Sequence, residues 1–160
     1  MMKNPWITPF TNRRYLDAVE EHDVLFDGAM GTQLAKYPLT VDDFGGLRTE
    51  GLMEMLLFYR PELVMRVHAA YLEAGAEAIK TDTFRANPLT LAEFGVRDRA
   101  REMGRIAATL ARQAADRVQA ETGIPRFVAG SMGPSGKLPS LDDAELSADN
   151  SASSNEGNLP

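Results

Sequence analysis

Two aspartates stand where a chain can do chemistry. Asp27 ends the apolar run VLFDGAMGT (24–32) and is followed by Gly28, while Asp82 lies between Thr81 and Thr83 in AEAIKTDT (76–83). A carboxylate at a strand end can hold a substrate ammonium or act as a base. It can equally cap a loop by accepting backbone N–H bonds. A third segment, GSMGPSG (130–136), follows the run RFVA and is rich in glycine. Its backbone can turn tightly or form a nest of amides for an anion. Two phosphate patterns are excluded. DGAMGT offers only Gly28-x-x-Gly31, short of a dinucleotide fingerprint, and a P-loop ending at Gly136-Lys137 requires Gly where Ser131 stands and Ser/Thr where Leu138 stands. With no cysteine in the chain, disulfides, thiolate metal sites and a cysteine nucleophile are excluded too. His68 sits near Val64 and Tyr71 on a helical pattern without a second His at metal spacing, so it reads as packing; His22 is isolated. Met53, Met55 and Met65 read as core filler.

The elements that position these residues follow from periodicity. NRRYLDAVEEH (12–22) predicts a short helix, and 24–32 predicts a buried strand opening into a Gly-containing loop. Tyr37 to Gly51 is aperiodic and predicts a long loop with a turn at Phe44-Gly45-Gly46. Pro61 and Glu62 start a helix carrying Leu63, Val67, Ala70, Tyr71 and Ala74, which Gly75 stops. Residues 76–83 predict a second strand and 88–94 a short helix. Residues 98–121 predict a long helix with Ala100, Met103, Ala107, Leu110, Ala114 and Val118 in one stripe, ended by Gly123 and Pro125. The arginines of 97–117 alternate with acidic residues, as on a solvated face. Arg126 to Ala129 predicts a third strand. The order β-α-β-α-β, with crossovers far longer than a hairpin, predicts parallel strands. All three suggestive segments then lie at strand C-terminal ends, where α/β folds place their sites.

Composition narrows the class. The chain has 160 residues, 44% hydrophobic and 25% charged, enough for one folded domain. Its net charge of −6 argues against a nucleic-acid partner. No apolar run approaches the ~20 residues of a membrane span, and residues 1–10 resemble no secretory signal, so a cytoplasmic protein is expected. Residues 142–160 carry five acidic residues and no Lys or Arg. That segment is expected to be disordered, and a reading frame that ended badly is its expected origin.

VLFDGAMGT, RPELVMRVHAAYLEAGAEAIKTDTFRANPLTLAEFG and FVAGSMGPSGKLPSL, in this order and spacing, resemble the homocysteine S-methyltransferase family. The likeness is closest to the N-terminal homocysteine-binding domain of cobalamin-dependent methionine synthases. It divides the chain into a helical lead-in (1–21), a partial barrel domain (22–141) and the acidic, Ser/Asn-rich tail (142–160). The resemblance implies α/β architecture: the N-terminal portion of a (β/α)8 TIM barrel, about three parallel strands with crossover helices. The implied chemistry is methyl transfer to homocysteine sulfur, which a zinc ion on three cysteine thiolates keeps ionised. A free thiol with pKa ~8.5 is mostly protonated at neutral pH. Cobalamin is implied through further domains; the methyl donor is left open.

By the same resemblance, Asp27 contacts the amino group of homocysteine, with Gly28 beside it. Asp82, Thr83, Phe84, Gly130 and Ser131 fall on loops lining that pocket. The chain departs from the family in places. It has no zinc cysteines, Asp82 replaces a usual Asn, Arg85 replaces a common Gly and is placed to offset that charge, and Leu52-Met53 replaces a frequent Cys-Asn before Glu54. A truncated methyltransferase, inactive alone, is the first expectation. A non-catalytic binding or regulatory fragment is the second, and a barrel enzyme using Asp27 as a base without metal is a weaker third. Three barrel strands leave open edges, so association with the remainder of the barrel or with a second copy is expected.

Overall fold

The computed structural model describes residues 13–136; the lead-in's first residues and the tail expectations lie outside this range. Helix α1 (Arg13–Glu21) is followed by an extended segment, then by α2 (Met30–Leu34), α3 (Leu56–Tyr59) and α4 (Pro61–Glu73). Strand β1 (Ala78–Lys80) leads to α5 (Pro88–Glu93), the long α6 (Ala100–Thr122) and β2 (Phe127–Ala129). No helix among the described residues is long and apolar enough to cross a membrane.

The two long helices form for the reasons the sequence supplies. Pro61 occupies the first turn of α4, where its missing N–H costs nothing. Gly123 closes α6 in the left-handed conformation with φ 73°. Helix α6 buries Met103, Ala107, Ala111, Ala114, Ala115 and Val118. Its small alanines bring α6 close to α4, which buries Leu63, Val64, Val67, His68 and Leu72. Leu72 and Ile79 join Ala111, Ala114, Ala115 and Val118 in one cluster, so β1 is clamped by both helices. The other faces carry ion pairs, including Arg99–Glu102 at 3.2 Å and Arg112–Asp116 at 2.9 Å.

The strands are parallel, as expected; the third lies almost where expected, while the first two are much shorter. β1 and β2 pair Ala78 with Phe127, Ile79 with Val128 and Lys80 with Ala129. The first expected strand shrinks to one parallel bridge, Phe26 to Ala78, with the Asp27 amide donating to Ala78 O at 2.9 Å. Nor is it buried: Leu25 is 58% and Phe26 41% exposed, since among the described residues no further strand covers their side. Met30–Leu34, read as strand end and loop, is helical. The aperiodic 37–51 stretch folds into 3-10 turns at Val41–Phe44 and Leu47–Thr49, the first closed by a Thr40–Asp43 capping box. Phe44-Gly45-Gly46 is a turn as expected, with Gly45 at φ 82° and its position free of a side chain where Tyr59 packs.

A short sheet with bare edges and exposed Leu25 is a template for pairing. These 160 residues are therefore expected to self-associate, with a sedimentation mass that rises with concentration and is reduced by Leu25→Lys. A monomer at all concentrations with a sharp two-state melt would contradict this.

Candidate functional site

Parallel register brings the C-terminal ends of three backbone segments to one rim. Between them lies a cavity of about 450 Å³, lined in part by Asp27, Gly28, Met53, Glu54, Lys80, Asp82, Phe84, Arg85 and Ser131. Of the residues singled out from sequence, Asp27, Gly28, Asp82, Phe84 and Ser131 line it. Thr83 and Gly130 instead border an adjoining cavity of about 470 Å³, behind the wall formed by Thr81, Phe84 and Ser131.

Asp27 is 7% exposed. Its Oδ2 accepts the Lys80 amide at 3.0 Å, while the Lys80 ammonium lies 2.9 Å from Oδ1 and donates to the Asp27 carbonyl at 3.0 Å. The capping and ammonium-binding readings of this carboxylate therefore both describe it, with the chain's own lysine as the ammonium. Gly28 leaves room for Tyr71: a Cβ there would lie 2.8 Å from Tyr71 Oη, which donates to Ala29 O at 3.2 Å. That hydrogen bond ties the first rim loop to α4.

Threonine hydroxyls join the other two rim loops. The Ser131 amide donates to Thr81 Oγ1 at 3.0 Å, and Thr83 Oγ1 donates to Ser131 O at 2.7 Å. Because the Thr83 hydroxyl proton is committed to Ser131, Thr81 is the donor in the 2.7 Å hydroxyl–hydroxyl bond. The Gly133 amide donates to Phe84 O at 2.9 Å. The amides of Ser131 and Gly133 are thus engaged within the protein and are not available to an anion.

Asp82 is 6% exposed, and its Oδ2 is buried without a hydrogen-bond partner. Burial and then the nearby Glu54 charge push its carboxyl up to about 7, with Arg85 pulling the other way. Arg85 is mainly engaged elsewhere. Its amide donates to Glu54 Oε1 at 2.8 Å, its Nε lies 3.4 Å from Glu54 Oε2, and its Nη2 donates to Gly51 O at 2.6 Å. His68 is fully buried with both ring nitrogens unpartnered, so it packs but is not satisfied. Desolvation lowers its pKa to about 4, against the opposing field of Asp27, and keeps the ring neutral. His22 is not isolated: its Nε2 lies 2.8 Å from Glu77 Oε2.

Sequence reasoning passed over Lys80 and Glu54 as site residues. Strand alternation puts Lys80 and Asp82 on one side, a signal that was available. Glu54 lies in a 3-10 turn within an apolar stretch and carries no periodic signal. Among the described residues no group of three His, Cys, Asp or Glu is placed to hold a metal.

Fold and cavity define a parallel α/β protein with a polar cavity at its strand ends. The homocysteine S-methyltransferase family model matches residues 24–156, and the chain belongs to that family. It is 43% identical over 133 residues to methionine synthase of Mycobacterium tuberculosis (strain ATCC 25618 / H37Rv), covering 81% of this chain and 11% of the relative. For methionine synthase of Mycobacterium leprae (strain TN) the identity is 39% over 130 residues, covering 81% and 10%. Crystal structures of the Escherichia coli homocysteine methyltransferase MmuM are also similar, each at 30% identity. The metallated form superposes with TM-score 0.61 over 74% of this chain and 40% of that one, and the oxidized form with 0.64 over 78% and 42%. The chain thus spans about a tenth of the curated relatives' length.

Two stability predictions follow from this wall. The folded state holds the Asp82 proton more tightly than an unfolded aspartate, which ionises near 3.8. The stability this proton provides is complete below about pH 4 and is lost as pH rises to about 7. Asp82→Asn stays neutral throughout, so its stability gain over the parent grows between pH 5 and pH 8, by roughly 2–3 kcal/mol. Urea unfolding at fixed protein concentration measures it; an equal difference at both pH values would count against the buried ionisation. A Cβ at Gly133 would meet Phe84 O at 2.4 Å, whereas one at Gly130 meets nothing within 4 Å. Gly133→Ala is expected to cost about 1–3 kcal/mol and Gly130→Ala under about 0.5 kcal/mol, read as their difference in melting temperature.

Proposed function

We propose that this chain supplies the substrate-binding rim of a homocysteine S-methyltransferase, receiving the amino-acid end of homocysteine for methylation to methionine. The observation that carries this reading is the convergence of DGAMGT, TDTF and GSMGPSG on one cavity with a buried acidic wall. Asp27 and Asp82 present that wall to the substrate ammonium, and Phe84 and Ser131 bound the space beside it. Charge-assisted hydrogen bonds at a buried wall fix such a ligand's orientation. By family resemblance, the three parallel segments form part of a (β/α)8 barrel, with the rest supplied from outside these residues.

The zinc that the family resemblance implies does not fit the residues at hand. Zinc would supply a stable homocysteine thiolate at neutral pH, yet this chain has no cysteine to hold it. Thiolate activation therefore falls to residues outside these 160, as does cobalamin or any other source of the methyl group. The chain's own residues bind and orient. The cysteine-free sequence favours one second reading, a non-catalytic binding or regulatory fragment of the same fold.

Calorimetric titration with L-homocysteine separates the two. Binding without methionine formation is expected, and Asp27→Asn weakens it at least tenfold, since the change removes a carboxylate and frees the Lys80 ammonium into the cavity. Methionine formation by these residues alone would contradict the division of labour. Absence of homocysteine binding would favour the second reading.

A further inference from the structure

The opposite end of the sheet carries a concentration of positive charge. Where the chain enters β2, residues of α1, α6 and the lead-in to the strand enclose a cleft of about 210 Å³, lined in part by Arg14, Arg112, Asp116, Gln119, Arg126 and Phe127. Three guanidiniums meet one carboxylate there, a surplus of two positive charges on a chain whose net charge is −6. Asp116 is engaged by Arg112, whose Nε lies 2.9 Å from Oδ1. Arg14 and Arg126 have no carboxylate partner among the described residues. The cleft shares no lining residue with the cavity at the strand C-terminal ends.

Arg126 is the most constrained of the three. It is 7% exposed, and a guanidinium stays charged at any working pH. Its Nη1 donates to the Ile124 and Pro125 carbonyls at 3.3 and 3.2 Å, and its Nε is buried without an acceptor. Its Nη2 donates to nothing among the described residues and, unlike Nε, is not fully buried. Burying a charge is costly unless a counter-charge meets it. Gln119 adds to the same polarity. Its Oε1 accepts the Arg126 amide at 3.1 Å, so the end left for a ligand is the donor NH2. Apart from Asp116, every polar side chain lining the cleft thus presents a donor.

We propose that this cleft is an anion site for a phosphoryl group, either free phosphate or a small phosphate monoester. A dianion matches the surplus of two charges, and its several oxygens can take the forked donors of more than one arginine. A carboxylate monoanion would leave one charge uncompensated. The cleft admits a small group only, and the chain's net negative charge disfavours a polyanion such as nucleic acid. An adjoining cavity of about 700 Å³ shares Arg14, Pro125, Arg126 and Phe127 with the cleft and adds Ala18 and Ile124, a partly apolar floor for an ester's organic body. Asp17, Glu21 and Glu77 also line that second cavity, which disfavours a second anionic group on the body. The inference is independent of the homocysteine reading.

The test is calorimetric titration of the full chain at about pH 8 and low ionic strength with inorganic phosphate, phenyl phosphate and acetate, the first two being mainly dianions there. One phosphate is expected per chain, with acetate binding at least tenfold more weakly. Arg14→Gln breaks no hydrogen bond or ion pair among the described residues and should weaken phosphate binding about tenfold. Asp116→Asn, the opposite charge change at an exposed side chain, should tighten it about threefold. Arg66→Gln makes the same charge change as Arg14→Gln on α4, outside the cleft, and should leave affinity within about twofold. The Nε–Hε resonances of Arg14, Arg112 and Arg126 should shift with phosphate, a readout that needs no variant, while the amides of Gly28 and Asp82 stay in place. Tighter binding of phenyl phosphate than of phosphate supports an ester as the occupant, and equal affinity supports the free ion. Absence of phosphate binding, acetate binding as tight as phosphate, equal losses in Arg14→Gln and Arg66→Gln, or arginine resonances unmoved at saturation overturns the proposal.

Discussion

The register of three parallel backbone segments is the constraint on which the site depends. Phe26 opposite Ala78, and Ala78 opposite Phe127, set Asp27, Asp82 and Ser131 at one rim. A slip of one residue would reverse the alternation and turn Lys80 and Asp82 away from the cavity. The ladder itself is too short to enforce this register, since each backbone hydrogen bond contributes only about 1 kcal/mol net. Packing enforces it instead: Ile79 is fully buried among Leu72 of α4 and Ala111, Ala114, Ala115 and Val118 of α6.

Above the ladder, side chains tie the loops together. Thr81 and Thr83 clasp both main-chain groups of Ser131, and Phe84 O holds the Gly133 amide. Asp27 takes the amide and ammonium of Lys80, and Glu54 takes the amide and guanidinium of Arg85. Each basic group thus fastens one strand-end loop to a neighbouring segment, and Arg85 offsets the Asp82 carboxyl only in part. Arg85, expected from sequence to balance that carboxylate, mainly serves Glu54.

Much of this was legible beforehand, for identifiable reasons. Helices α4 and α6 announce themselves by an apolar stripe with Pro61, Gly75 and Gly123 at their ends. The strand-end segments are visible as apolar runs that stop at Asp27, Asp82 and Gly130. Strand length was not legible, because pairing depends on neighbours: Leu25 and Phe26 have strand-like chemistry but only one pairing partner on one side. Helix α2 was missed because five residues carry no period and Ala29 offers no capping side chain. Thr83 and Gly130, expected beside Asp27, border the adjoining cavity instead. Glu54 was invisible because its position depends on a 3-10 turn that only the folded core defines.

The central claim is that this rim receives an amino-acid ligand at the three strand ends together. Amide chemical-shift mapping of the chain with L-homocysteine tests it most directly. The account predicts shifts concentrated at Gly28, Ala29, Lys80, Asp82, Phe84 and Ser131, with α1 and the outer face of α6 unchanged. Shifts confined to other surfaces, or none at saturating ligand, would contradict it.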